Sequence, residues 1–235
     1  MAKKILTAHA NVMKAGTMNN DHAYLIRSRI INSAKELLAQ EGYSKTTIRK
    51  IVEHSGVLTG SIYYLFKNKE DIFRAILLEL VHGCIEKIDG RCAGESPLFR
   101  YAAVCQVELK VLADYQIVRE TYRNAYASAT IFEGMIAQYL AMAKCLFDDT
   151  EYELTEEEYY QNTLMIKGAM HACLSEMFFR RETSQAATRE KLIRLALHLF
   201  GASEKESRDI IRRMKAKSKV FEEIGRELIE HPIVK

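Results

Sequence analysis

Apolar residues recur at helical spacing from Tyr24 onward. Ile30, Ala34, Leu37 and Leu38 share one face of a first helix, and Gly42, directly after Glu41, is a natural stop. A second, short helix opens near Thr46, with Thr46 or Ser44 as its cap and Ile48, Ile51 and Val52 turned inward. The run His54-Ser55-Gly56-Val57 ends it. A third helix covers 59–66 and buries Ile62, Leu65 and Phe66. Asn68 caps a fourth, long helix that runs through Ile72, Ile76 and Leu80 to about residue 88; Asp71 stands in its first turn, where negative charge suits the helix dipole.

Gly90, Gly94, Ser96 and Pro97 mark a joint. Beyond it the periodicity predicts helices near 97–113, 115–127, 130–148, 156–181, 187–200 and 203–230, the last with Gly225 as its breakpoint. Thr155 and Glu158 have the spacing of a capping box. No segment alternates with period two, and only two prolines interrupt the chain, so the expected fold class is all-α. Residues 1–24 lack a strong period, contain Gly16 and Asn19-Asn20, and read as a flexible N-terminal arm.

Composition narrows the function classes. With 48% hydrophobic residues in 235, a sizeable core can be buried, which excludes a disordered chain. The longest run without Lys, Arg, Asp or Glu covers 54–66, too short for the ~20 residues of a membrane span. Lys3 and Lys4 precede Ile5 and Leu6, but Thr7, His9 and Asn11 break any apolar signal core. Five cysteines, with no CxxC pair, read as reduced buried thiols in a cytoplasmic protein. The net charge of +3 hides a segregation: 25–70 is basic and 71–180 is acidic. That pattern points to a polyanion met at one end of the molecule, against the blander alternative of ordinary surface variation.

Two short helices joined by a glycine turn are the skeleton of a helix-turn-helix. Such a third helix must keep one face bare to enter a DNA major groove. Outside Ile62, Leu65 and Phe66 it carries Thr59, Gly60, Ser61, Tyr63 and Tyr64, with no carboxylate. Gly60 lets the backbone approach a phosphate, Lys67 and Lys69 can neutralise phosphates, and the Arg49 guanidinium can reach a guanine edge. The alternative at this level is a solvated corner of some other helical bundle.

The order Thr46-Thr47-Ile48-Arg49-Lys50-Ile51-Val52, Ser55-Gly56-Val57, Gly60-Ser61-Ile62-Tyr63-Tyr64 and Phe66-Lys67-Asn68-Lys69-Glu70-Asp71-Ile72 resembles the N-terminal DNA-binding domain of TetR-family transcriptional regulators, over about residues 27–80. The resemblance implies phosphate contacts from Thr46, Thr47, Tyr63 and Lys67. It places Arg49, Ser61 and Tyr64 near base edges, and gives Gly60 close backbone approach. Thr59 completes the implied DNA-binding set. Leu58 stands where the family commonly has a capping serine, leaving Thr59 to take over the cap; Thr59 itself stands where lysine is frequent.

The resemblance further implies three segments: an arm over 1–24, a three-helix DNA-binding domain over 25–70, and a larger helical effector and dimerisation domain over 71–235. It implies a cytoplasmic homodimer on a palindromic double-stranded operator, most often a repressor, released by a small-molecule effector. A partner protein in place of the small molecule is the alternative. Met165, Gly168, Ala169, Ala172 and Cys173, then Ile193, Ala196, Leu197 and Phe200, are the expected dimer-facing stripes of two long helices. Tyr115, Arg119, Tyr122 and Tyr126 fall on one helical face and, with Phe132, Met135 and Tyr139, are the candidate lining of a largely apolar effector pocket. Arg119 or Arg123 would then pair with an acidic effector.

No membrane partner, cofactor or metal is expected. The seven carboxylates of 148–158 lack the spacing of a calcium loop, and His171, Cys173 and His198 are too few for a zinc set. No phosphate loop, GxSxG or HExxH motif is present, so the chain is not expected to be an enzyme.

Overall fold

The computed structural model describes residues 19–176 and 185–231. Eleven helices occur among the described residues: α1 (Asn19–Lys45), α2 (Ile48–Ser55), α3 (Thr59–Leu65), α4 (Lys69–Arg91), α5 (Pro97–Asp114), α6 (Gln116–Ala127), α7 (Ala129–Phe147), α8 (Glu156–Glu176), α9 (Gln185–Leu199), α10 (Glu204–Ala216) and α11 (Ser218–Glu230). No strand is found among them, so the molecule is all-α as expected. Most of the segment expected to be an arm, 1–18, lies outside the described residues. Its last part differs from expectation: α1 is already helical at Asn19.

The first three helices form around punctuation that the sequence carries. Helical geometry in α1 breaks at Gly42, whose φ of 78° is cheap only without a Cβ. The cap of α2 is neither Thr46 nor Ser44 but Thr47, whose hydroxyl accepts from the Lys50 N–H. Gly56 closes α2 in the left-handed conformation, with its N–H on the Val52 carbonyl. Thr59 does not cap α3 either. Leu58 holds the cap position, has no side chain able to accept, and offers its carbonyl to the N–H groups of Ser61 and Ile62. Ile30, Ile31, Ala34, Leu37 and Leu38 of α1 pack with Ile51, Val57, Ile62 and Phe66 into one small core.

α4 joins that core to a larger one. Asn68 caps it as expected, accepting from the Asp71 N–H at 2.9 Å. Its first turns give Ile72, Phe73, Ala75 and Ile76 to the small core, and its later turns give Val81, Cys84, Ile85 and Ile88 to the large one. The large core stacks α4, α5, α7, α8 and α9 around Phe99, Tyr101, Phe147 and Phe200. The Thr155–Glu158 capping box of α8 is formed, and a second box, Ser203 with Glu206, opens α10.

The last expected helix is broken, but at Lys217 and not at Gly225. Gly225 sits inside α11 and faces α5, where an added Cβ would lie 3.0 Å from Val111 Cγ2. That glycine buys close helix approach rather than a turn. Among the described residues, α1 packs against α6 and also reaches beyond the small core through two polar ties: Arg27 pairs with Glu79 of α4 at 3.1 Å, and Lys35 Nζ donates to the His231 carbonyl at the end of α11.

Candidate nucleic-acid interface and effector cleft

Ile62 and Phe66 anchor α3 into the small core and so turn the opposite face outward. Tyr64 is 86% exposed, Tyr63 55% and Leu58 78%, and Thr59 and Gly60 are also exposed, while Ser61 is half-buried. Apolar burial of large side chains is the usual outcome, so three large exposed groups on one short element call for a partner. No carboxylate lies on this face. Thr47 and Lys67 flank it, both exposed. The Arg49 side chain is fully solvated on α2 and is held by Glu53 one turn later, Nε to Oε1, at 2.9 Å.

Two expected phosphate ligands are placed elsewhere. Thr46 is fully buried, and its hydroxyl and its N–H both go to the Gly42 carbonyl, so it closes the end of α1 and is not on the exposed face. Lys69 lies over the Tyr43 ring, 4.1 Å from its centroid, and its Nζ donates to the Tyr43 carbonyl; burial lowers its pKa. It staples α4 to the end of α1. The exposure of Leu58 has no signal in the sequence, because an apolar side chain reads as core unless the turn geometry is known.

The candidate effector residues do not converge as expected. A cleft of about 40 Å³ lies among α4, α5, α6, α7 and α11, and of the seven only Tyr122 and Tyr139 line it. Arg119 Nη1 donates to the Leu112 and Ala113 carbonyls at 2.8 and 2.9 Å, closing the C-terminus of α5, so this end of the guanidinium is held by the fold. Tyr115 lies at the α5–α6 junction and borders an open groove beside α11. Tyr126 stacks on His171, with ring centroids 4.5 Å apart, and packs against Phe132. Met135 is fully buried among Leu112, Tyr122 and Leu174.

The cleft contains a group that periodicity could not assign. Glu108 of α5 is buried, and its Oε2 accepts from Lys167 Nζ of α8 at 2.6 Å and from the Tyr139 hydroxyl. The Lys167 ammonium is fully buried and lies 3.2 Å from the Tyr139 ring centroid. Burial raises the Tyr122 and Tyr139 hydroxyls well above their usual pKa, and the nearby Glu108 charge adds to it. Burial likewise pushes the neighbouring Cys105 thiol up to about 12. Among the described residues no group of three or more His, Cys, Asp or Glu side chains could hold a metal ion, and no helix is long and apolar enough to cross a membrane.

The expected dimer stripes divide. Met165, Gly168 and Ala172 are exposed on α8, with Ala169 and Cys173 half-buried beside them. Ile193, Ala196, Leu197 and Phe200 are all buried in the large core, so the α9 stripe faces inward and not toward a partner. Leu164 and Tyr160, one and two turns before Gly168 on α8, are also exposed, as is Leu195 of α9.

The sequence model for bacterial regulatory proteins of the tetR family matches residues 30–76. The fatty acid metabolism regulator protein of Bacillus subtilis is 39% identical over 61 residues, covering 26% of this chain and 31% of that protein. A probable helix-turn-helix transcriptional regulator of the same organism, YttP, is 25% identical over 125 residues, 52% of this chain and 60% of that one. The chain thus aligns with less than two thirds of the length of either relative. The crystal structure of RolR in complex with resorcinol superposes with a TM-score of 0.64 at 16% identity, over 82% of this chain and 96% of that one, a likeness of fold.

Proposed function

Through its helix-turn-helix the chain belongs to the tetR family of bacterial regulatory proteins, and from that premise we propose that it is a cytoplasmic, homodimeric transcriptional repressor that a small molecule releases from a palindromic operator. The observation that carries this reading is the outward face of α3, where Thr59, Gly60, Tyr63 and Tyr64 stand exposed on a helix anchored by Ile62 and Phe66. In the groove, Ser61 and Tyr64 meet base edges. Thr47, Tyr63 and Lys67 meet phosphates, which sets register and supplies most of the affinity. Leu58 is placed for apolar contact with a thymine methyl. Arg49 must exchange Glu53 for a base edge, a small cost for a solvated pair.

Two copies are needed because one short helix makes few contacts, and linking them raises the effective concentration of the second on a palindrome. The outer face of α8, with Met165, Gly168 and Ala172, is the surface through which we pair them. The recognition helices then lie about one DNA turn, ~34 Å, apart. An effector can act only through its different affinity for two conformers. α4, which belongs to both cores, carries the shift.

Genomic fragments retained by the immobilised protein at low salt identify the operator. On that operator, Arg49→Ala weakens discrimination between sequences by ~1–3 kcal/mol, whereas Lys67→Ala weakens all DNA binding and flattens its salt dependence. Unchanged operator affinity in both variants refutes the reading.

A further inference from the structure

The buried carboxylate of Glu108 is only partly satisfied within the protein. Oε2 takes Lys167 and the Tyr139 hydroxyl, while Oε1, also buried, has no partner at good hydrogen-bond geometry; the Tyr122 hydroxyl, in the cleft wall beside it, interacts with the carboxylate without closing that gap. Glu108 lines the cleft, whose other walls are mainly apolar: Leu80 and Val81 of α4, Val118 of α6, and Leu228 and Ile229 of α11. A buried acceptor of this kind is met by an O–H or N–H donor. A carboxylate or phosphate is excluded, since it would set anionic oxygens against a carboxylate oxygen at low dielectric. A full cation is disfavoured too, because Lys167 already neutralises Glu108 and no second carboxylate lines the cleft.

We propose that this cleft is the effector site, and that the effector is a compact neutral molecule with an apolar body and a hydroxyl or N–H donor bound to Glu108 Oε1. The consequence for DNA rests on the regulator reading above; the binding itself does not. At about 40 Å³ the cleft is smaller than the ~150 Å³ that holds a benzene ring, so entry of a ring displaces Leu228 and Ile229. That displacement is felt at a distance. α11 is tied to α4 through Glu227, which binds Lys87 and Arg91, and to α1 of the helix-turn-helix through Lys35 on the His231 carbonyl. The helix that covers the ligand is thereby linked to the helices that carry the DNA-binding face.

The test is thermal unfolding of the full chain with benzyl alcohol, toluene, benzoate and benzylammonium at equal millimolar concentrations. Benzyl alcohol raises Tm saturably and binds about tenfold more tightly than toluene, while benzoate and benzylammonium give no shift. Replacing the pair together, Glu108→Leu with Lys167→Met, keeps the core apolar and filled, and brings the preference for benzyl alcohol over toluene to about one. Leu228→Ala opens the cover and strengthens binding of benzyl alcohol in the otherwise unaltered chain. Equal stabilisation by benzoate, no stabilisation by benzyl alcohol (the result expected if the cleft serves only a water molecule), or a preference that survives the double replacement overturns the proposal. Operator retention is measured separately. Loss of the DNA result with the stabilisation series intact counts against the regulator reading and leaves the ligand site standing.

Discussion

Thr46 and Thr47 are neighbours of identical chemistry with different surroundings. The Thr46 methyl and hydroxyl are enclosed, and the hydroxyl ties down the carbonyl of Gly42, while Thr47 is exposed and caps α2. Thr46→Val therefore lowers stability by about 1 kcal/mol in urea denaturation and leaves operator selectivity unchanged. The lysines separate in the same way. Lys67 is exposed, whereas Lys69 is held on the Tyr43 ring and carbonyl. Lys69→Ala thus shifts the urea midpoint, while the salt slope of DNA binding stays with Lys67. Nothing in the order of residues separates these pairs; the turn at Gly42, which folds Tyr43 and Thr46 back on α1, does.

At the scale of elements, α11 shows how a helix is held by a few charges and one missing side chain. Gly225 lets it lie close to α5, and Glu227 bridges to Lys87 and Arg91 of α4. Hydrogen bonds from those two cations hold the Glu227 carboxyl at about 2, below its ordinary 4.5. A depressed carboxyl binds its proton less readily in the folded state. Its contribution is therefore whole above pH ~4.5 and fades as pH falls toward ~2. Acid titration followed by circular dichroism will show stability falling across that window, and Glu227→Gln will flatten this part of the curve. A Glu227→Gln variant with an unchanged acid limb contradicts the role given to the bridge.

For the molecule as a whole, the question is which apolar surface remains after both cores are built. Met165 is 49% exposed on α8, beside Tyr160, Leu164, Gly168 and Ala172, and Leu195 is exposed on α9. Small residues at its centre admit close approach of a second helix. Met165→Glu with Gly168→Glu places like charges across a symmetric contact, so sedimentation should report a monomer with a native circular dichroism spectrum. Operator affinity then falls by tenfold or more, as the second half-site no longer benefits from linkage (~10²–10⁴ in avidity). A double variant that remains dimeric places the interface elsewhere.

Much of this molecule is written in local pattern. The helical periodicity, Gly42, Gly56, Asn68 and the Thr155–Glu158 box mark most elements at their observed places, and the motif from Thr46 to Ile72 identifies the outward helix. These features are legible because each depends on residues a few positions apart, where spacing alone sets geometry. What the chain could not declare are the relations between distant segments: Lys167 reaching Glu108, Arg119 closing the end of α5, the α9 stripe turned inward, and α11 covering the cleft. An amphipathic helix has an apolar face whether it meets its own core, a ligand or a second copy. Only packing in three dimensions, by deciding which faces are already covered and which buried polar atoms still want a partner, tells those uses apart.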